Sequence, residues 1–513
     1  MSQPRPVVEL GVEPGMVVER LGGPRVRVEG SLLERLRSAC AVVEVDDDTC
    51  VEAGRDWWPI TVEWALRGQV PARPGAVARP TAAEQVAAVL RACNEERVPV
   101  TPMGGRSGVC GSSIPVFGGV ALDLCGLSGV TDLDTNSLLA RVLPGTFGPD
   151  LEGHLQEQGV TLGHWPQSMD ISTVGGWLAC RGAGQYSTRY GKIEDMVVGL
   201  EVALADGRTV RTGGSAPRSA TGSDLTQLFV GSEGTRGVVT AALLRVHCSP
   251  EAQARRAYGF GSFRDGLEAC RRVLRRGATP AVLRLYDQTE SARNFSVDDR
   301  CVLVVLDEAD PALLDATCVI VDTECSDSGG EPLADADPGS GVEAGHRIVQ
   351  HWLDNRNDVS ALAPLYRAGV VVDTIEIAAR WSALEDIYRD CTDALQGIRG
   401  TLVASAHQSH AYTDGACLYF TFAGQGPDGG GDGRWAQSYY LRAWQVVMET
   451  VLSHGGTISH HHGIGINRAR FMAQALGTSL EVLASIKGAL DPRGILNPGK
   501  LGLPSPFGEV LWP

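Results

Sequence analysis

SMDISTVGGWLACRGAGQYSTRYGKIEDMVVGLEVAL, residues 168–204, sets hydroxyls at Ser172 and Thr173 and glycines at 175, 176, 182 and 184 ahead of an apolar, strand-like run. Glycines let backbone N–H groups converge on an anion, because no Cβ blocks a close approach. Two other stretches repeat the device. GGRSGVCGSS (104–113) follows VPVTPM (98–103), which reads as a buried strand, and GSEGTRG (231–237) precedes the strand-like VVTAALLRV. Three glycine loops beside strand ends within about 140 residues fit a domain wrapped around an extended, phosphate-bearing ligand. No GxGxxG opens a helix in the first loop and no GK[ST] closes it, so it is neither a dinucleotide fingerprint nor a Walker loop.

The surroundings give the organisation. Pro80-Thr81 precedes AAEQVAAVLRACNEE, where Val86, Val89, Leu90 and Cys93 fall at helical spacing. The stretch 196–213 reads as two strands joined by a turn at Asp206-Gly207. From about residue 255 the texture changes to strand, helix, strand, strand: RAYGFG, FRDGLEACRRVLRR, AVLRLYD and CVLVVLDE. A second such unit runs through VVVDTIEIA (370–378), a helix over 381–395, TLVASAHQSHAY and CLYFTF (417–422). Two β-α-β-β halves in succession predict a mixed sheet covered by helices. A further helix is expected over 435–452, and the glycine-rich stretches 326–341 and 424–434 read as loops or linkers.

Composition bounds the reading. A chain of 513 residues allows two or three domains, and 43% apolar with 21% charged residues is an ordinary globular mix. The 45 Lys and Arg against 61 Asp and Glu leave a net charge of −16, which argues against nucleic acid and against an anionic membrane surface. Thirteen cysteines without a CxxC pair read as reduced thiols. With neither a signal peptide nor an 18-residue apolar run, the expectation is a cytoplasmic protein without a transmembrane segment.

Three later features carry chemistry. His460-His461-His462-Gly463-Ile464-Gly465 places three imidazoles beside glycines, and three adjacent imidazoles seldom form one metal site alone. Tyr419 lies in CLYFTF, where a phenol near imidazoles suits a general base or a hydrogen-bond partner. Arg284, in AVLRLYD, offers a planar guanidinium for a carboxylate or phosphate.

Taken together, GHWPQSMDISTVGGW, YGKIEDMVV and TGSDLTQLFVGSEGTRGVV resemble the FAD-binding domain of the vanillyl-alcohol oxidase/p-cresol methylhydroxylase superfamily. The likeness runs from about residue 50 to 501 and is closest to alkylglycerone-phosphate synthases and D-2-hydroxy-acid dehydrogenases. It implies an α+β, two-domain flavoprotein: an N-terminal segment 1–72, an FAD-binding domain 73–250, a ferredoxin-like cap 251–455 and a C-terminal segment 456–513 packing back on the FAD domain. By that resemblance Pro102, Gly104, Gly105, Arg106, Ser107, Gly108 and Gly111 hold the pyrophosphate side of the cofactor. Ser168, Asp170, Ser172, Thr173, Gly175 and Gly176 line the flavin with Gly182 and Ser187, while Glu233, Gly234 and Val238 complete the site. Many relatives attach FAD through a histidine in the first loop. Here that loop is GGRSGVCG, so FAD is expected to bind noncovalently.

The catalytic set implied is Tyr419, His460, His461, His462 and Arg284. Metal-dependent dehydrogenases of the superfamily carry a glutamate where His461 stands and a histidine where Tyr419 stands, so no catalytic metal is expected. The synthases' second arginine falls on Leu362, with Arg356 and Arg367 nearby as candidate replacements. The leading expectation is an FAD-dependent oxidoreductase that oxidises a small anionic hydroxy substrate by hydride transfer to flavin N5. The alternative is an alkylglycerone-phosphate synthase-like transferase working through an N5 adduct without net redox change, and a binding protein without catalysis is the third. The electron acceptor (oxygen, quinone or carrier protein) and homodimer formation stay open.

Overall fold

Residues 8–333, 345–358, 362–427 and 433–512 are described in a computed structural model of the chain. The stretches read as linkers lie partly outside these residues, as do the first seven residues. Within the described part of the first stretch, the helix Pro311–Asp327 ends and the short edge strand Glu331–Pro332 begins.

Three parallel strands, Ala76–Ala78, Val120–Asp123 and Val100–Met103, form the core of a four-stranded sheet. The helix Ala83–Glu96 buries Val86, Val89, Leu90 and Cys93 at the spacing read from sequence, because those positions share one face. It ends at Arg97 in the left-handed conformation. A second, five-stranded antiparallel sheet contains Val197–Ala203 and Val238–Arg245, and its Leu204–Arg208 turn has Gly207 at φ 81°. The chain end returns to the first sheet. Leu496 bridges Val100, the Asn497 amide donates to the Ser112 and Glu233 carbonyls at 2.9 and 2.6 Å, and Lys500 Nζ donates to the Ile114 carbonyl at 2.8 Å.

The largest sheet has seven antiparallel strands and carries the site. In chain order its first half is Ala252–Phe260, Val282–Tyr286 and Cys301–Ala309, and its second half is Val370–Arg380, Thr401–Ala411 and Gly415–Gln425. In each half the third strand lies between the first and second. The halves join where Val282–Tyr286 pairs with Thr401–Ala411, second strand to second strand. One face packs Leu285, Ile375, Ile377, Leu418 and Phe420 into a core with Leu267, Leu384, Ile387, Trp444 and Val447 from the covering helices. Side chains alternate along a strand, so the other face receives Arg284, Tyr286, His407, Tyr419 and Glu376. Register then aligns them: Tyr286 opposes His407, His407 opposes Tyr419, and Tyr419 opposes Glu376.

Candidate active site

Between this polar face and the glycine loops lies a cavity of about 820 Å³, at the large end for a small-molecule site. The first loop contributes Pro102 and Gly104 to Gly108, and the second Ser168, Ser172, Thr173, Gly175, Gly176 and Gly182. The third contributes Glu233, Gly234 and Val238. The structure also assigns the glycines of the first loop a reason the sequence did not reveal. A Cβ on Gly105 would stand 2.1 Å from the Ile171 carbonyl, and one on Gly104 2.3 Å from Thr173 Oγ1. These two glycines let the first and second loops close on each other. Trp57, Ser113 and Gln185 line the cavity, while their Nε1, Oγ and Oε1 atoms are buried behind its surface without a hydrogen-bond partner. Ser107, Ser168, Ser172 and Thr173 join the glycine-loop backbone on this wall, a donor and acceptor set that suits a long polar ligand such as FAD.

Four residues expected at the cofactor or the substrate do not reach the cavity wall. Gly111 packs on Trp58, where an added Cβ would stand 2.9 Å from the ring, and Asp170 is exposed in a short helical turn. Ser187 Oγ is engaged by His410 Nδ1 at 2.9 Å and by the Tyr412 hydroxyl at 3.2 Å. His460 turns away from the wall toward Tyr412. Two more reach it with their side chains engaged elsewhere: the Arg106 guanidinium bonds the Glu52 carbonyl, and the Glu233 carboxylate accepts from the Ile464 and Gly465 N–H groups. Glu233 thus anchors the histidine loop. Cys110 lies off the wall, and burial pushes its thiol far up, away from the reactive thiolate.

On the cap side, the Tyr419 hydroxyl sits 2.6 Å from His461 Nε2 and 3.1 Å from His462 Nε2. The loop carrying these rings is wrapped around Glu376, a residue that sequence reading did not select. Glu376 is fully buried and accepts from the backbone N–H of His460 and of His462, the latter at 3.0 Å. It also accepts from Ser459 Oγ at 3.0 Å and pairs with the equally buried Arg468 at 2.6 Å. Burial alone would raise its carboxyl, but the Arg468 guanidinium beside it holds it well below the usual range. Burial pushes His460 and His461 down to about 3 and His462 to about 4, so all three are neutral at pH 7. Burial raises the Tyr419 phenol, which therefore rests protonated.

A second group adjoins the first. His407 stacks on Tyr419 at 5.0 Å, with its Nδ1 2.6 Å from Glu290 and its Nε2 2.6 Å from Arg284 NH2. A guanidinium only donates, so Nε2 is the accepting nitrogen and the Nδ1 proton goes to Glu290. Glu290 also accepts from Thr421 Oγ1 at 2.7 Å and Ser405 Oγ at 3.2 Å. Burial opposes its charge, but His407, Arg293 and these hydroxyls keep it ionised. Of the candidate replacements for an arginine at Leu362, Arg356 reaches the cavity, resting 5.4 Å from the Trp352 ring centre, while Arg367 is exposed outside it. Among the described residues, the ring nitrogens of His410, His460 and His461 lie within 4.8 Å of one another, close enough to hold an ion.

The glycine-loop domain, the sheet cap and the cavity between them define a two-domain flavoprotein. The family of FAD binding domains matches residues 74–213 and that of the C-terminal domains of FAD-linked oxidases matches residues 249–501. The chain belongs to the FAD-linked oxidase superfamily of p-cresol methylhydroxylase and vanillyl-alcohol oxidase type, and it is an FAD-dependent enzyme. It is 28% identical over 472 residues to alkyldihydroxyacetonephosphate synthase of Dictyostelium discoideum, covering 85% of this chain and 74% of that protein. It is also 28% identical over 457 residues to the glycolate oxidase subunit GlcD of Bacillus subtilis (strain 168), covering 84% and 90%. A solved alkyldihydroxyacetonephosphate synthase shares the fold with a TM-score of 0.76 at 24% identity, over 95% of this chain and 88% of the other. Among the described residues no helix is long and apolar enough to cross a membrane.

Proposed function

We propose that the protein oxidises a small hydroxy substrate that carries an anionic group. The observation that carries this reading is that Arg284 and Tyr419 open on the one cavity that the three glycine loops line. Arg284 holds the substrate's carboxylate or phosphate, its fork oriented by His407 and Glu290. The Tyr419 oxygen takes the hydroxyl proton while its own proton moves to His461, and His462 steadies the phenol from the other side. FAD, when bound, supplies the acceptor for the hydride. It would be held noncovalently by the three loops, with Cys110 protonated and off the cavity wall. Turnover needs no divalent metal on this reading, because the nitrogens of His460 and His461 already bond to one another and to tyrosines. The division 1–72, 73–250, 251–455 and 456–513 goes with it, supported by the return of Leu496 to Val100.

One observation favours a second reading, a transferase like alkyldihydroxyacetonephosphate synthase. Leu362, Leu365 and Val372 line the cavity together with Trp57 and Pro59, giving it an apolar end that would take an alkyl chain. An anaerobic screen of hydroxy acids and an acyl-dihydroxyacetone phosphate, following flavin bleaching and product mass together, separates the two. Bleaching by a hydroxy acid is the expected result, whereas an ether product without net bleaching would replace the first reading with the second.

A further inference from the structure

Tyr419, His461 and His460 are mostly enclosed, and burial disfavours a charge on each of the three. A proton taken from the substrate therefore has no stable resting place in the site and must be carried out. The structure contains a path. Tyr419 O to His461 Nε2 is 2.6 Å, His461 Nδ1 to His460 Nδ1 is 2.8 Å, and His460 Nε2 to Tyr412 O is 3.0 Å. Tyr419 and His461 line the cavity. His460 and Tyr412 do not, and both residues are partly exposed, with the half-exposed Lys192 side chain lying over the Tyr412 ring.

We infer that Tyr419, His461, His460 and Tyr412 form a proton wire from the cavity to the outer surface, through which the substrate's hydroxyl proton leaves. The inference rests on the oxidoreductase reading above. Each member is a hydroxyl or an imidazole, able to accept at one atom or nitrogen while donating from itself or the other. The substrate O–H bond breaks as an O–H bond forms on Tyr419, and the Tyr419 proton passes to His461 Nε2. His461 releases its Nδ1 proton to His460 Nδ1, His460 releases its Nε2 proton to the Tyr412 oxygen, and Tyr412 releases its proton to water. One proton enters and one leaves, and no member keeps a net charge. The chain is left with its hydrogen bonds reversed, and rotation of the hydroxyls and rings resets it. Ser187 Oγ, bonded to both Tyr412 and His410, holds the outer phenol in line.

A single proton must occupy the bond between the two Nδ1 atoms whichever way the chain points. Nitrogen-15 spectra of histidine-labelled holoenzyme at pH 7 should therefore show His460 and His461 neutral, with one and only one of them protonated at Nδ1. Both rings protonated at Nε2, either ring charged, or stoichiometric Zn²⁺ bound by His410, His460 and His461 would overturn the wire. The Tyr412→Phe variant, which cuts the outermost link, should retain wild-type FAD content and melting temperature. With the hydroxy acid identified by the screen, its flavin reduction should be slowed by at least about tenfold in dilute buffer and rescued by added imidazole, with the wild type indifferent to buffer. Full speed in dilute buffer, or a slow rate that imidazole does not restore, would overturn the proposal. If no hydroxy acid bleaches the flavin, the oxidoreductase reading fails while the nitrogen spectra still judge the wire.

Discussion

Replacing Glu376 by glutamine tests whether one buried carboxylate builds the histidine loop. The side chain keeps its size but loses its charge opposite Arg468, which is fully buried and has Nε and NH2 without hydrogen-bond partners. Removing one member of a buried ion pair typically costs about 3 to 5 kcal/mol, because the other charge is left uncompensated. The glutamine also presents an amide where two backbone N–H groups of the loop now find acceptors. Against a total stability of about 5 to 15 kcal/mol this is a large fraction, so a clear fall in melting temperature is expected by calorimetry. The rings of His461 and His462 should lose register with Tyr419, and turnover should fall with them. The double variant Glu376→Gln, Arg468→Met removes both charges and should be more stable than Glu376→Gln alone, giving a coupling energy of about 1 to 3 kcal/mol in the cycle. A Glu376→Gln protein that melts with the wild type, or a cycle with no coupling, would refute the reasoning.

Tyr419→Phe keeps the ring stacked on His407, so FAD content and stability should hold while single-turnover flavin reduction drops by about 10² to 10⁴; an unchanged rate would make Tyr419 a packing residue. Arg284→Ala should reduce kcat/KM roughly 10- to 150-fold, the loss of a charge-assisted hydrogen bond of about 1.5 to 3 kcal/mol, and Arg284→Lys should mainly weaken binding. Acid precipitation should release all FAD into the supernatant, and a yellow washed pellet would establish a covalent link. Folded imidazoles held at about 3 to 4 bind fewer protons than unfolded ones near 6.5, so stability should fall as pH drops through 6.5 toward 4. At pH 5 each ring costs up to about 2 kcal/mol, and a flat melting temperature from pH 7 to 5 would contradict their burial as neutral groups.

The sequence alone determined whatever depends on local pattern. The spacing of Val86, Val89, Leu90 and Cys93 specifies the helix Ala83–Glu96, Asp206-Gly207 marks its turn, and two β-α-β-β runs announce the cap. Glycine loops and the triple histidine are written in consecutive residues, so they too are legible. Alternation along a strand even tells that Tyr419 and Phe420 face opposite ways. What it cannot tell is which residue stands beside which across strands, because that follows from long-range pairing. Only the sheet register lines up Tyr286, His407, Tyr419 and Glu376, and only the register shift between Gln408 and Ala411 turns His410 to the cavity wall that His407 already faces. A residue inserted by a bulge reverses the parity that alternation predicts. Glu290, Glu376 and Arg468 carry no motif at all. They are recognisable only as buried charges that segments far apart in the chain bring into contact, where loss of water makes each depend on its partner.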